Sequence, residues 1–239
     1  MIDLLKDIKQ SLSDLSIPEN VKILQKFFKT GKGEYGEGDV FIGVTVPDQR
    51  SVAKEFYNKI SLEELSELLS SKIHEHRLTA LLILVYKFEK TKDKIEQKEI
   101  IDFYLKHTKH INNWDLVDTS CYKILGRYCF GNQDSKILEK LSDSKNMWEM
   151  RMAIVGTMYH IKKRQFELTK TFALKNLKHP HDLMHKANGW LLREMGKMNE
   201  KELLDFLNLH YKEMPRTCLR YAIEKLDEEL RQDYLKGRI

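Results

Sequence analysis

Proline is missing from the whole span between Pro47 and Pro180. A stretch of that length without the residue that removes a backbone donor, and rich in Leu, Lys and Glu, favours one helix after another. Long apolar runs are missing too. The longest, such as Ala80-Leu81-Leu82-Ile83-Leu84-Val85-Tyr86, fall far short of the ~20 residues a membrane-spanning helix needs. Cysteine is scarce: Cys121, Cys129 and Cys218 form no CxxC pair and leave one unpaired. That excludes a disulfide scaffold and reads as reduced thiols in a cytoplasmic protein. Met1 to Lys6 carries no signal-peptide pattern. Period-two alternation over strand length is absent, and Val40–Val46 is the one short candidate.

Glycine is unevenly spread. Five of the 11 glycines fall between Gly31 and Gly43, which marks one irregular loop near the N-terminus. The loop lacks the Gly-Lys-Ser/Thr ending of a phosphate-binding loop and a preceding β-branched strand, so a nucleotide site there is rejected.

Charge is what the chain has in quantity. Its 239 residues include 41 Lys and Arg against 36 Asp and Glu, a net +5. The distribution says more than the sum. Lys162, Lys163, Arg164, Lys170, Lys175 and Lys178 face a single acid, Glu167, across residues 160–178. Acids gather elsewhere, at Glu63, Glu64 and Glu67 and in Asp227-Glu228-Glu229. Such polarity fits a surface that tracks phosphates; a merely solvated helix and loop is the alternative.

Helical periodicity recurs along the chain. Ser61-Leu62-Glu63-Glu64 is a capping box, followed by a stripe of Leu62, Leu65, Leu68 and Leu69. Residues 76–89, 95–105, 148–161 and 186–195 repeat the pattern, and Pro215 to Leu226 reads as a final amphipathic helix. Helices of about 12–16 residues joined by short turns predict an all-α chain: one domain over 1–239, a right-handed superhelical α-solenoid of HEAT-like repeats with a concave face. A generic helical bundle is the alternative. Trp114 to Trp148 spans 34 positions and Trp148 to Trp190 spans 42, close to one repeat each.

Three segments stand out, one per repeat: Asn113-Trp114-Asp115-Leu116-Val117-Asp118, Asn146-Met147-Trp148-Glu149-Met150-Arg151 and Ala187-Asn188-Gly189-Trp190-Leu191-Leu192-Arg193-Glu194. Trp114 and Asp118 share a helix face, as do Trp190 and Arg193. Asp115 points about 60° away from Asp118, so it is expected to cap a helix or face solvent. Asn112 and Asn113 mark a helix start. Trp148, among Met147, Met150 and Met152, reads as core. His74 and His76 face apart and read as surface residues. His181 and His185 have an i, i+4 spacing, but no Glu or Cys completes a zinc set, so no metal is expected.

Together the three segments resemble the AlkD-like DNA alkylation repair family, HEAT-like repeat glycosylases. Phe41-Ile42-Gly43-Val44 followed by Pro47 and Arg50, and the late Arg216-Thr217-Cys218-Leu219-Arg220-Tyr221, extend the likeness in order across most of the chain. The resemblance implies a monofunctional enzyme that hydrolyses the N-glycosidic bond of cationic N3- and N7-alkylated purines in duplex DNA, without a cofactor and without base flipping. It implies catalysis by Asp118 with Trp114 and Trp190 as aromatic partners. It assigns Arg151 and Arg193 to phosphates, and the run Lys162, Lys163 and Arg164 is read as a phosphate rail. A monomer acting in the cytoplasm, on the nucleoid when bound, is expected. Where well-known members carry a Tyr, this chain has Phe27 or Phe28, and Tyr159 stands where a Lys is usual. The alternative is a non-catalytic HEAT-like protein that binds distorted or branched DNA.

Overall fold

Ser61 opens a helix as its sequence requires. Its hydroxyl accepts from the Glu64 amide at 3.2 Å while the Glu64 carboxylate accepts from the Ser61 amide at 2.9 Å. The same local chemistry starts other helices, with the side chains of Asp3, Thr45, Asp93, Asn146 and Asp227 each accepting from an amide one turn in. The structure, a computed structural model, describes residues 3–239. All of its extended elements are helical. The segment Val40–Val46 forms no strand; it contributes only an isolated parallel bridge between Val40 and Ile73.

The chain packs as two compact units, Met1–Ser120 and Cys121–Ile239. The first holds α1 (Leu4–Asp14), α2 (Pro18–Phe27), α3 (Val46–Phe56), α4 (Leu62–Leu69), α5 (His74–Lys90), α6 (Lys94–Lys106) and a 3₁₀ turn at Thr108–His110. The helix α7 (Trp114–Cys121) begins where Asn113 accepts the first intrahelical bond from Val117. At the centre is α5, against which α1, α3, α4 and α6 pack. Thirteen of its seventeen residues are buried, so it is enclosed on all sides rather than amphipathic.

Between α2 and α3 the glycine-bearing loop is tied down by a buried carboxylate. Glu75 accepts from the amides of Ile42 at 3.1 Å and Gly43 at 2.8 Å. Gly43 has φ +88° and passes so close to the Ile17 carbonyl that a side chain would collide with it.

The second unit continues through a π-helical turn at Tyr122–Gly126 into α8 (Arg127–Asn132), α9 (Lys136–Ser142), α10 (Met147–Gly156), α11 (Met158–Lys162), α12 (Glu167–Asn176), α13 (Asp182–Met198), α14 (Glu200–His210), α15 (Arg216–Ala222) and α16 (Glu228–Lys236). Here α13 is the hub, packed against α10, α12, α14 and α15.

Lengths differ from the expected 12–16 residues, running from 5 in α11 to 17 in α5 and α13. Residues 148–161 are two helices. The break is at Thr157, whose hydroxyl bonds back to the Ile154 carbonyl at 2.7 Å and accepts from Thr169 at 2.9 Å. Pro215 to Leu226 is not one final helix: α15 ends at Ala222, and the Asp227 cap starts α16.

Gly189 lies where α13 crosses α15. A Cβ there would press on the Cys218 carbonyl and on Tyr221. Gly189→Ala is expected to destabilise the protein by about 1–3 kcal/mol, the usual cost of overpacking, read as a lower urea midpoint with an unchanged m-value.

Candidate functional site

Trp114 stands at the start of α7, half-buried, with its ring fixed by aromatic neighbours. It stacks on Phe28, centroids 5.3 Å apart and planes 17° off parallel, and receives the edge of Phe27 at 5.7 Å. Phe28 in turn lies against Phe41 at 5.1 Å and His74 at 4.8 Å. Both candidate aromatics of the Phe27-Phe28 pair thus touch Trp114: Phe28 is buried, whereas Phe27 is 60% exposed. Asp118 lies one turn further along α7 and is half-buried.

Beneath the stack is a cluster of buried charges. His74 reaches Asp39 through Nδ1 at 2.9 Å and Asp115 through Nε2 at 2.8 Å. Arg77 reaches the other oxygen of Asp39 at 2.7 Å and also donates to the Ser71 carbonyl at 3.1 Å. The Asn113 amide donates to Asp39 at 3.3 Å while its oxygen accepts from the Trp114 amide at 2.8 Å. Two carboxylates therefore meet one guanidinium and one imidazole, in a place where unpaired charge is costly.

Burial by itself pulls the His74 imidazole toward neutrality. The Asp115 charge and the hydrogen bonds to Asp115 and Asp39 outweigh it, against repulsion from Arg77, and raise its pKa to about 9. Burial raises the Asp39 carboxyl, but the His74 bond and the charge and bond of Arg77 leave it below the ordinary carboxylate value.

Sequence reasoning missed this cluster. His74 and His76, expected on the surface, are 2% and 6% exposed. Buried His76 bonds the Ser71 hydroxyl at 3.0 Å, and burial lowers its pKa to about 4. Asp115, expected to cap a helix or face solvent, is instead inside and bound to His74. The available signal was His74, Glu75, His76 and Arg77 leading directly into the largely apolar stretch 78–85 of the same helix, since charges drawn into a core require partners.

In the second unit, Arg151 on α10 is 4% exposed and donates to the Leu183 carbonyl on α13. The resemblance assigns this guanidinium to a phosphate. Within its unit that bond ties α10 to the first turn of α13. Trp190 is half-buried on α13 beside Gly189. Arg193, one turn on, pairs with Glu224 and sits 3.6 Å from Glu194. Trp148, read as core, is half-buried.

The members of the basic run differ in their surroundings. Lys170 pairs with Glu167 and Glu202, and Lys175 with Asp143. Lys162, Lys163 and Arg164 are exposed where α11 ends, and among the described residues none has an ion-pair partner. Lys162 lies over the Tyr122 ring at 4.8 Å and Lys163 over Tyr159 at 5.9 Å. His181 accepts from the Leu183 amide at 3.1 Å and His185 bonds the His179 carbonyl, so both have local roles. Among the described residues no group of three His, Cys, Asp or Glu side chains has a geometry that would hold a metal ion.

Residues 8–226 match the family model described as DNA alkylation repair enzyme. The chain belongs to that family. A solved structure that shares its fold is the predicted DNA alkylation repair enzyme from Enterococcus faecalis, with a TM-score of 0.68 at 16% identity over 89% of this chain and 97% of that one. No curated protein matches the chain. Family membership supports a role as an enzyme in DNA repair, with DNA as the partner.

A pH dependence follows from the buried cluster. An unfolded histidine titrates near ~6.5, whereas folded His74 keeps its proton to about 9. Its stabilising contribution is therefore complete below the unfolded value and is lost as pH rises through about 9. Urea midpoints are expected to fall by the equivalent of roughly 3 kcal/mol between about pH 6 and pH 10, and Asp115→Asn is expected to flatten that fall.

Proposed function

We propose that this protein is a monofunctional DNA glycosylase that removes cationic N3- and N7-alkylated purines, such as 3-methyladenine and 7-methylguanine, from duplex DNA. The observation that carries the reading is α7 itself. Asp118 and Trp114 are one turn apart on a helix whose first turn is held by buried charge and by an aromatic stack, in a chain of the alkylation repair family.

Alkylation gives the purine a positive charge and makes it a good leaving group, so no general acid is required. The reaction needs stabilisation of the positive charge that builds on the sugar, together with an oriented water. A carboxylate supplies both, by charge and by accepting a proton from the water. An aromatic face beside a cation adds about 0.5–2 kcal/mol, the part given to Trp114 and, by resemblance, to Trp190. No cofactor enters this scheme. Recognition through the sugar and backbone rather than by extrusion of the base belongs to the same proposal, as does monomeric action in the cytoplasm.

Lys162, Lys163 and Arg164 are the proposed phosphate contacts, and Arg193 becomes one by exchanging Glu224 for a phosphate. Removing a single electrostatic stabiliser commonly costs roughly 10²–10³ in rate. Asp118→Asn is expected to lose at least that much single-turnover release of 7-methylguanine from methylated duplex while its DNA affinity stays near wild type. Wild-type release by the variant would remove Asp118 from the chemistry. Wild-type protein that binds duplex yet releases no base would favour the non-catalytic DNA-binding reading.

Each lysine or arginine that neutralises a phosphate adds about 0.9 to the salt slope of binding. Replacing Lys162, Lys163 and Arg164 together by Ala is expected to weaken binding uniformly across sequences. The slope should fall by about 1 for each phosphate that is no longer neutralised, measured by fluorescence anisotropy at several salt concentrations.

A further inference from the structure

We propose that His74 is a positioning residue for the reacting helix: by joining Asp39 to Asp115 it fixes the first turn of α7, and with it the Trp114 ring and the Asp118 carboxylate. The proposal rests on the glycosylase reading above.

His74 uses both ring nitrogens, Nδ1 toward Asp39 at 2.9 Å and Nε2 toward Asp115 at 2.8 Å. An imidazole donates from both sides only when it is protonated. The ring also lies 4.8 Å from Phe28, the residue on which Trp114 stacks. It therefore touches the start of α7 by two routes, charge through Asp115 and packing through Phe28. Asp39 adds a third hold by accepting from Asn113, the residue that opens the helix.

The second oxygen of Asp115 is buried without a hydrogen-bond partner, so His74 is the partner that compensates this carboxylate. Removing the imidazole leaves Asp115 unpaired in a site with little water; neutralising it leaves one N–H for two carboxylates and no charge to offset Asp115, so the first turn of α7 must move to rehydrate it. Asp118 is three residues beyond Asp115 on the same helix. A shift of the order of 1 Å in a reacting group costs roughly 10²-fold in rate.

The charged groups that face His74 are Asp39 from the loop before α3, Asp115 from α7, and Arg77 from its own helix. Phe28 and Phe41 close the remaining sides. Glu75, next in sequence, is engaged by the Ile42 and Gly43 amides.

The test follows base release and the His74 ring in the same protein. Single-turnover release of 7-methylguanine is measured on methylated duplex between about pH 6 and pH 10, beside NMR titration of ¹³C-labelled histidine, with His74→Gln assigning the resonance. The expected result is a rate that falls as His74 loses its proton while DNA affinity holds over the same step. Asp115→Asn keeps an oxygen to accept from Nε2 but removes the charge, so the alkaline fall should move down by about one pH unit. His74→Gln should lose roughly 10²-fold at neutral pH and show no alkaline fall of its own. A wild-type rate that is flat through the His74 titration overturns the proposal, as does an unmoved fall in folded Asp115→Asn. Wild-type protein that releases no base at neutral pH overturns the glycosylase reading instead. The positioning role is then judged by Trp114 emission in a Trp148→Phe/Trp190→Phe background, which must change with His74 protonation; unchanged emission overturns it.

Discussion

A buried imidazolium held between two carboxylates is the constraint on which the first unit depends. His74 joins the glycine-bearing loop, through Asp39, to the helix that carries Trp114 and Asp118, through Asp115. Buried ions are a poor way to gain stability, because desolvation offsets most of the attraction, and apolar residues of similar volume often do as well. What such a cluster provides is a geometry with few alternatives. Each nitrogen has one acceptor, Arg77 completes the charge balance on Asp39, and Asn113 links Asp39 to the first residue of α7. Apolar packing alone would let α7 slide or rotate by a fraction of an ångström at little cost. A directional ionic bond at its first turn does not.

The second unit shows the other use of charge. Arg151 is enclosed and bonded to a backbone carbonyl, and Arg193 is held by Glu224 and lies near Glu194. Guanidinium groups suit such fixed roles, since their planar fork arrives pre-organised. Among the cations left open to solvent are Lys162, Lys163 and Arg164, on a turn where two of them lie over tyrosine rings. Contact with a tyrosine face limits the freedom of a lysine without neutralising it, so less order has to be imposed when a phosphate arrives.

Local features were legible in the sequence and long-range pairings were not. The Ser61–Glu64 capping box, the helical segments around α5 and α6, and the helix opening at Asn113 depend on neighbours within a turn, and the structure has them. The ordered segments pointed to the family that the match over residues 8–226 bears out. His74 is 35 positions from Asp39 and 41 from Asp115. A helical wheel assigns each of them a face but cannot say which other face it meets, so His74 and Asp115 read as surface groups. Helix ends misread for a related reason: the break at Thr157 depends on a hydroxyl bond to Thr169 from another helix, which periodicity within 148–161 does not contain. The bond of Arg151 to a backbone carbonyl was out of reach as well, since a carbonyl has no sequence signature.

The chemistry explains why so much buried charge serves the start of one helix. A cationic purine departs without being protonated, so the demanding part of the proposed reaction is placing one negative charge against the sugar at the right distance. Coulomb energy in a site of low polarity changes steeply over an ångström, which makes position a larger lever than the basicity of the carboxylate. Asp118 sits at the second turn of α7 (Trp114–Cys121), and the first turn of a helix, whose amides lack intrahelical partners, is its most easily frayed part. Its first turn must therefore be anchored from outside. The groups that do so are His74, on the most buried helix of the unit, and Phe28, itself buried against the same imidazole.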